Sequence, residues 1–353
     1  MNKTRVAVLK TSPETVVGDY GRLMRLVSYT DTIVPGNETA LNIDLSWHHF
    51  FPGSSATPWQ LDGVLNTLIE DGFTSEQLYA CCATKSGIST LKGEVLNRYV
   101  PVIERYGIRN IHLNKGGKRI RYVPKTPLRA VSKVYPDGIP VPGRFIGSSA
   151  VQLTTLKTDA LVTVAGAVHT TFKNLLDERS TSAYPEYHEA MVDALTIAKD
   201  VYKGVFAVMD GVFAAEGPGP LSYMPHEKNI ILASSDMVAL DAVAASLMGF
   251  DPLSIPFIRL AHESGIGTGD MNEIEVAGDD ITGLNFHFAL KQAGMDYRIR
   301  TMGKALAGSF LAPVSQFMST AYNDFYWYVH TGEERIKNAM KGDWGKLFED
   351  YRK

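Results

Sequence analysis

The chain has 353 residues, 45% of them hydrophobic and 21% charged, which is enough to bury a large core and ordinary for a globular protein. Thirty-five Lys and Arg stand against 38 Asp and Glu, a formal charge of −3, so no bulk electrostatic pull draws it to nucleic acid or an anionic membrane. The two cysteines, Cys81 and Cys82, are neighbours, a spacing that strains a disulfide, and two thiols fall short of the four ligands of an iron–sulfur cluster.

A reducing cytoplasm therefore suits the composition. The first fifteen residues show neither a signal-peptide apolar region nor a twin-arginine pair. No window reaches the roughly 18 apolar residues of a membrane helix.

In chain order, short apolar runs at 6–9, 40–45, 78–82, 110–113, 161–164, 205–209 and 230–233 have the length and composition of strands. Amphipathic helices are predicted between several of them. One starts at Thr57-Pro58, a cap followed by a first-turn proline, and stops at Gly72. A second covers 94–106 with a kink at Pro101, and a third covers 186–202. Asp236 caps a helix that ends at Gly249, and another closes at Gly265.

This alternation predicts an α/β fold, a mostly parallel sheet with helices on both faces, plus a helical C-terminal extension. The proline-rich stretch 122–144 reads as a connection. It would separate an N-terminal lobe, 1–121, from a core lobe, 145–300, with a tail at 301–353. That tail concentrates Tyr322, Phe325, Tyr326, Trp327 and Tyr328, which would pack onto the body, onto a second copy in a homo-oligomer, or around an apolar substrate. The basic run Lys115 to Arg121 reads as a solvated loop, with phosphate contact as the alternative.

The chemistry concentrates in two segments. TLKTDALVTVAGAVHTTFKN, from Thr155 to Asn174, sets Lys157, His169 and Lys173 around an apolar run, 160–168, that reads as a buried strand. Buried cations require anions. MDGVFAAEGPGP, from Met209 to Pro220, supplies Asp210 at a strand's carboxyl end, where open α/β sheets bind ligands, and Glu216 after a turn. Two carboxylates so spaced form an acid/base pair or hold a divalent metal such as Mg²⁺, with Asp241 as a third oxygen donor. Structurally, Asp210 would instead cap the turn and Glu216 would be solvated.

The glycines Gly217 and Gly219 expose backbone N–H groups that suit an anion. Asp241 itself would pair with Lys157 or Lys173. His48 and His49 follow a strand end and are candidates for substrate contact. No P-loop, no dinucleotide fingerprint and no GxSxG elbow occurs, and no histidines fall in HExxH or zinc-finger spacing.

These segments, followed by ILASSDMVALDAVAASLMGFDP, resemble in order and spacing the core of the bacterial and archaeal family known as domain of unknown function 362. The resemblance covers roughly residues 40–278 and is specific from Lys157 onward. It implies an α/β fold and, in many members, an appended ferredoxin-like module, for which this chain lacks the cysteines. The family's lysine–asparagine pair matches Lys173-Asn174, and its carboxylate–glycine loop matches Asp210, Gly211, Glu216, Gly217, Gly219 and Pro220. Members usually carry Lys-Thr-His where this chain has Lys157-Thr158-Asp159. The early Lys-Pro-Asn is replaced by Leu41-Asn42-Ile43.

The resulting expectation is a cytoplasmic enzyme for a small anionic molecule. Lys157, Asn174, Gly217, Gly219, His48 and His49 would bind it. Asp210, Glu216, Lys173 and His169 would be catalytic, and Asp210, Glu216 and Asp241 would be available to a metal. The rival expectation is a non-catalytic binder or accessory subunit of a redox or biosynthetic assembly that docks through its tail.

Overall fold

Alternation along the strands decides the architecture. A computed structural model of the protein describes residues 3–82, 88–113, 118–176, 186–219, 221–290, 295–305 and 312–352. The strands are β1 (Thr4–Lys10), β2 (Thr39–Ile43), β3 (Leu78–Cys82), β4 (Arg109–His112), β5 (Arg119–Tyr122), β6 (Ile139–Pro142), β7 (Ser149–Asp159), β8 (Thr163–Val164), β9 (Gly204–Glu216), β10 (Met224–Ser234) and β11 (Ile274–Gly278). Nine of them form one mixed sheet in the order β11-β1-β10-β9-β7-β2-β3-β4, with β8 paired to β7. The pairs β1–β10 and β10–β9 are antiparallel, and the other pairs along that order are parallel.

Val6 and Val8 face one core while Ala7 and Leu9 face the other, the period-two signature of a sheet buried on both sides. The helices are α1 (Val16–Leu26), α2 (Pro58–Glu70), α3 (Thr90–Leu96), α4 (Tyr99–Tyr106), α5 (Val131–Val134), α6 (Ala167–Leu175), α7 (Tyr187–Val201), α8 (Met237–Met248), α9 (Pro256–Glu263), α10 (Met295–Ala305), α11 (Ala312–Tyr322), α12 (Glu333–Ala339) and α13 (Asp343–Asp350). One layer contains α1, α2, α4 and α13, and the other contains α6 to α9. The expected α/β arrangement, helices on both faces and a helical C-terminal region, is present.

Several local expectations require correction. The run 160–168 is not a buried strand: the chain turns at 160–162, β8 spans two residues, and α6 starts at Ala167. The strand lies before it, as β7, all eleven residues of which are buried. Its polar side chains, among them Gln152, Thr154 and Thr155, mask its burial in the sequence. The helix expected over 94–106 is two, α3 and α4, broken at Arg98 with φ 61°. Pro101 sits in the first turn of α4, where its missing N–H breaks no intrahelical bond. Asp210 does not end its strand, because β9 continues to Glu216.

Strands from either side of segment 122–144 interleave in the same sheet, and that segment itself contributes α5 and pairs β6 with β5. Of the basic run, residues 115–117 lie outside the described residues, and Arg119 and Arg121 belong to β5.

Asp236 caps α8 as expected, accepting from the N–H groups of Val238 and Ala239, and Gly249 closes the helix at φ +98°. Within α8, Asp241 is fully buried and reaches across to the start of α6. Its Oδ1 accepts from Ala167 N at 2.7 Å and its Oδ2 from Val168 N at 3.0 Å. It is a cap supplied by a neighbouring helix, and its partners are backbone amides rather than Lys157 or Lys173. A Cβ on Gly166 would come within 2.1 Å of its Oδ1, which explains the glycine.

Burial outweighs the two hydrogen bonds and pushes the Asp241 carboxyl from 3.8 up to about 7. The native state therefore binds the extra proton between those values, so this stabilisation is complete below pH 3.8 and fades as pH rises through 7. At roughly 1.4 kcal/mol per pKa unit the full effect is at most roughly 4 kcal/mol. Urea unfolding from pH 4 to 8 should show wild type losing stability relative to Asp241→Asn as pH rises. A difference that does not vary with pH would contradict the assignment.

Candidate anion site at the carboxyl edge of the sheet

Strand β2 ends at Ile43, beside β7 on one side and β3 on the other. The next residue, Asp44, is buried to within 1%. Its Oδ2 receives the Lys157 ammonium from β7, and its Oδ1 receives the Lys173 ammonium from α6. Ser46 joins them: its hydroxyl donates to Asp44 Oδ1 at 3.1 Å and accepts from Lys157 Nζ at 3.2 Å and Lys173 Nζ at 3.4 Å. Lys157 spends its remaining donor on the Ser54 carbonyl.

Burial alone would raise the Asp44 carboxyl. The two ammonium groups reverse that and hold it far below the usual carboxylate range. For Lys157, burial together with the like charge of Lys173 outweighs the pull of Asp44 and lowers the ammonium to about 8. One carboxylate serves two cations.

Counting donors separates the two lysines. An ammonium has three N–H groups. Lys157 uses all three and its side chain is 1% exposed, whereas Lys173 uses two and its side chain is 5% exposed. Lys173 is the lysine that retains a donor among the described residues. His169 lies one turn before it on α6, bonded to the Tyr187 hydroxyl at 3.0 Å. Asn174 donates to the Thr170 carbonyl at 2.9 Å, a bond within its own helix.

The same edge holds Glu94, whose two carboxylate oxygens lie 3.0 Å from His112 Nε2 at the end of β4. Cys82, at the end of β3, is buried, and burial and then Glu94 push its thiol up.

The acidic loop does not converge on these lysines. Asp210 faces the layer of α1 and α2, where its carboxylate accepts from Thr57 Oγ1 at 2.5 Å, Trp59 Nε1 at 2.8 Å, Tyr20 OH at 3.1 Å and Val212 N at 2.8 Å. Burial still raises it against those four bonds. Glu216 lies six residues further along the same strand, beyond an irregularity in its pairing with β7. There it meets His226 Nε2 at 3.0 Å and Ala289 N at 3.1 Å. Asp241 is in the opposite helical layer. These three carboxylates therefore form neither the expected metal site nor an acid/base pair.

Gly217 donates its N–H to Thr158 Oγ1 at 2.8 Å, so that amide is committed. Gly219, at φ +53°, leaves room for the Tyr223 hydroxyl that a Cβ would meet at 2.3 Å. The glycine loop is packed against Tyr223 rather than opened as a cradle. Pro220 lies outside the described residues. Asp159, standing where the family usually has histidine, accepts from Leu161 N at 2.8 Å and Val162 N at 3.3 Å and so shapes the turn after β7.

His48 and His49 lie against the tail. His48 Nε2 is 3.3 Å from an Asp324 carboxylate oxygen, and His49 stacks on Tyr328 at 4.1 Å between centroids. Burial, then His48, then Lys92 depress His49 to about 4. His48 is lowered as well, chiefly by burial.

Sequence reasoning missed Asp44, Ser46 and Asp324. Asp44 had a visible signal, an acidic residue ending an apolar strand at the edge where α/β sheets bind ligands. Asp324 had none, because its relevance comes from the docking of the tail.

The fold and this edge define an α/β protein with a buried lysine–carboxylate cluster beyond the ends of its parallel strands. The chain matches the family described as domain of unknown function (DUF362) over residues 42–246 and belongs to that family. It is also similar to a thylakoid-associated protein of Synechocystis, 33% identical over 81 residues, which is 23% of this chain and 24% of that protein. The chain thus aligns with about a quarter of that relative's length.

The cluster makes unequal demands on its members. Asp44→Asn would strand two buried cations and should cost roughly 3–5 kcal/mol. Lys173→Met leaves a one-to-one pair and should cost about 1 kcal/mol or less. Urea denaturation of both variants checks the order, and equal losses would show that Lys173 is a structural partner only.

Proposed function

We propose that the protein is an enzyme for a small anionic molecule, a carboxylate or phosphate, which Lys173 contacts. The observation that supports this most directly is the unspent N–H of Lys173 beside a saturated Lys157, at the sheet edge favoured for ligands. Two ammonium groups on one carboxylate leave an excess positive charge at contact range, and a low-dielectric setting strengthens its pull on an anion. Lys157 and Asp44 hold Lys173 in place, which limits the entropy lost when ligand binds. His169, on the same face of α6, is the neighbouring group best placed to meet the far side of a ligand.

Inorganic phosphate and succinate serve as probes in a thermal-shift titration. One of them should raise the wild-type melting temperature in a saturable way, and Lys173→Met should lose at least tenfold in apparent affinity. Identical titrations of the two proteins would refute the reading.

One observation favours a second reading, docking through the tail. Trp327 is buried against Trp47 and Phe51, but Phe317, Phe325 and Val329 are 68%, 81% and 56% exposed. Scattered exposed apolar residues are normal, whereas several on neighbouring helical turns suit an interface. A second copy of the chain is the proposed occupant. Sedimentation velocity should show the double variant Phe317→Ser, Phe325→Ser as monomer and wild type as dimer. A monomeric wild type would remove this reading.

A further inference from the structure

We propose that His48, His49 and Asp324 form a binding site for a divalent transition-metal ion of the zinc or ferrous class. One imidazole nitrogen from each histidine and one Asp324 oxygen lie within 4.8 Å of one another. Ligands about 2.1 Å from a tetrahedral metal are roughly 3.4 Å apart, and His48 Nε2 and Asp324 Oδ2 already stand 3.3 Å apart. The two separations that involve His49 are at most 4.8 Å, so side-chain adjustments of up to roughly 1.4 Å close them.

Two further observations point the same way. Trp47 Nε1 donates to the other Asp324 oxygen at 2.7 Å, the kind of outer-shell bond that orients a ligating carboxylate. His48 is 6% exposed, and its Nδ1 has no hydrogen-bond partner among the described residues. The contact with Asp324 therefore leaves half of that imidazole's polar capacity unused, an uncommon state for a buried ring.

The chemistry of the donors selects the ion. Two imidazoles and one carboxylate suit zinc or ferrous iron and leave coordination positions open, whereas magnesium and calcium prefer oxygen alone. Trp47 stands edge-on to His49, with ring centroids 5.1 Å apart, and Tyr328 stacks on the same ring, so aromatic walls shield the ligands. Lys92 is close enough to act electrostatically on both histidines. Its charge opposes a bare dication and favours an anion, such as hydroxide or a substrate oxygen, at an open position. Asp324 lies in a π-helical stretch, Asn323–Gly332, a geometry frequent at functional sites. The ion would join the segment after β2 to the tail.

This site stands apart from the anion contact at Lys173, and its test is independent of it. The full-length chain is stripped with EDTA, dialysed against Zn²⁺, and its metal content measured together with its melting temperature; Co²⁺ is used in parallel for its visible ligand-field bands. Wild type should retain one equivalent of zinc and melt higher with it. His49→Ala and Asp324→Asn should each weaken binding at least tenfold, and Lys173→Met should bind zinc as wild type does. Asp324→Asn is nearly isosteric and keeps an acceptor for Trp47, so its metal-free form should melt like wild type even if His49→Ala does not. Failure of wild type to retain zinc, or retention that the Asp324→Asn change leaves untouched, would overturn the proposal.

Discussion

Asp44 is the constraint around which the carboxyl edge of the sheet is built. It lies one residue beyond a parallel strand, inside the protein, and two ammonium groups from different elements converge on it. A carboxylate in that position without cations would be expelled or protonated, and either lysine without the carboxylate would be an uncompensated buried charge. Both lysines depend on the carboxylate and the carboxylate on at least one of them, and through these contacts β2, β7 and α6 are tied to one another. Breaking this cluster would not just soften a loop. It would leave the end of β2 and the start of the His48 segment without an anchor.

The protein solves the same electrostatic problem in three ways. Asp44 is held ionised by cations. Asp210 is surrounded by hydroxyl, indole and amide donors and has no cation in contact among the described residues. Asp241 is met by two amides among the described residues, and its proton affinity rises into the physiological range. The direction follows the compensation: two cations lower Asp44, whereas hydrogen bonds alone leave Asp210 and Asp241 raised by burial. It also separates roles. Asp210 ties α1 and α2 to β9, and Asp241 ties α8 to α6 on the opposite face, while the Asp44 cluster lies at the carboxyl edge of the parallel strands.

The fold was legible because its signals are local. Thr57-Pro58, Asp236 and Gly249 mark helix ends by chemistry that operates within a turn, and the apolar runs at 6–9, 78–82 and 230–233 carry strand character unaided. β7 was not legible, since a strand buried on both faces normally lacks residues such as Gln152, Thr154 and Lys157, whose burial depends on partners far away in the chain. The full length of β9 was not legible either: the strand continues past Asp210, and Gly211 allows close passage of Ile230 on the neighbouring strand. The lysines were identifiable as needing an anion, but which anion depended on sheet order. Asp210 was nearer in the family pattern, and β2, not β9, brings its carboxylate to them.

That sheet order also explains why the segment after β2 carries so much of the chemistry. In seven residues, from Ile43 to His49, it passes from a buried strand to the lysine cluster and on to the tail. Ser46 bridges Asp44 and both ammonium groups, and the indole of Trp47, next in the chain, holds Asp324. The lysine cluster and the His48–Asp324 contact are thus served by neighbouring residues of one segment, through Ser46 on one side and Trp47 on the other. The C-terminal tail thus covers this segment: Trp327 and Tyr328 pack over Trp47 and His49, and the same tail brings Asp324 to face the His48 imidazole.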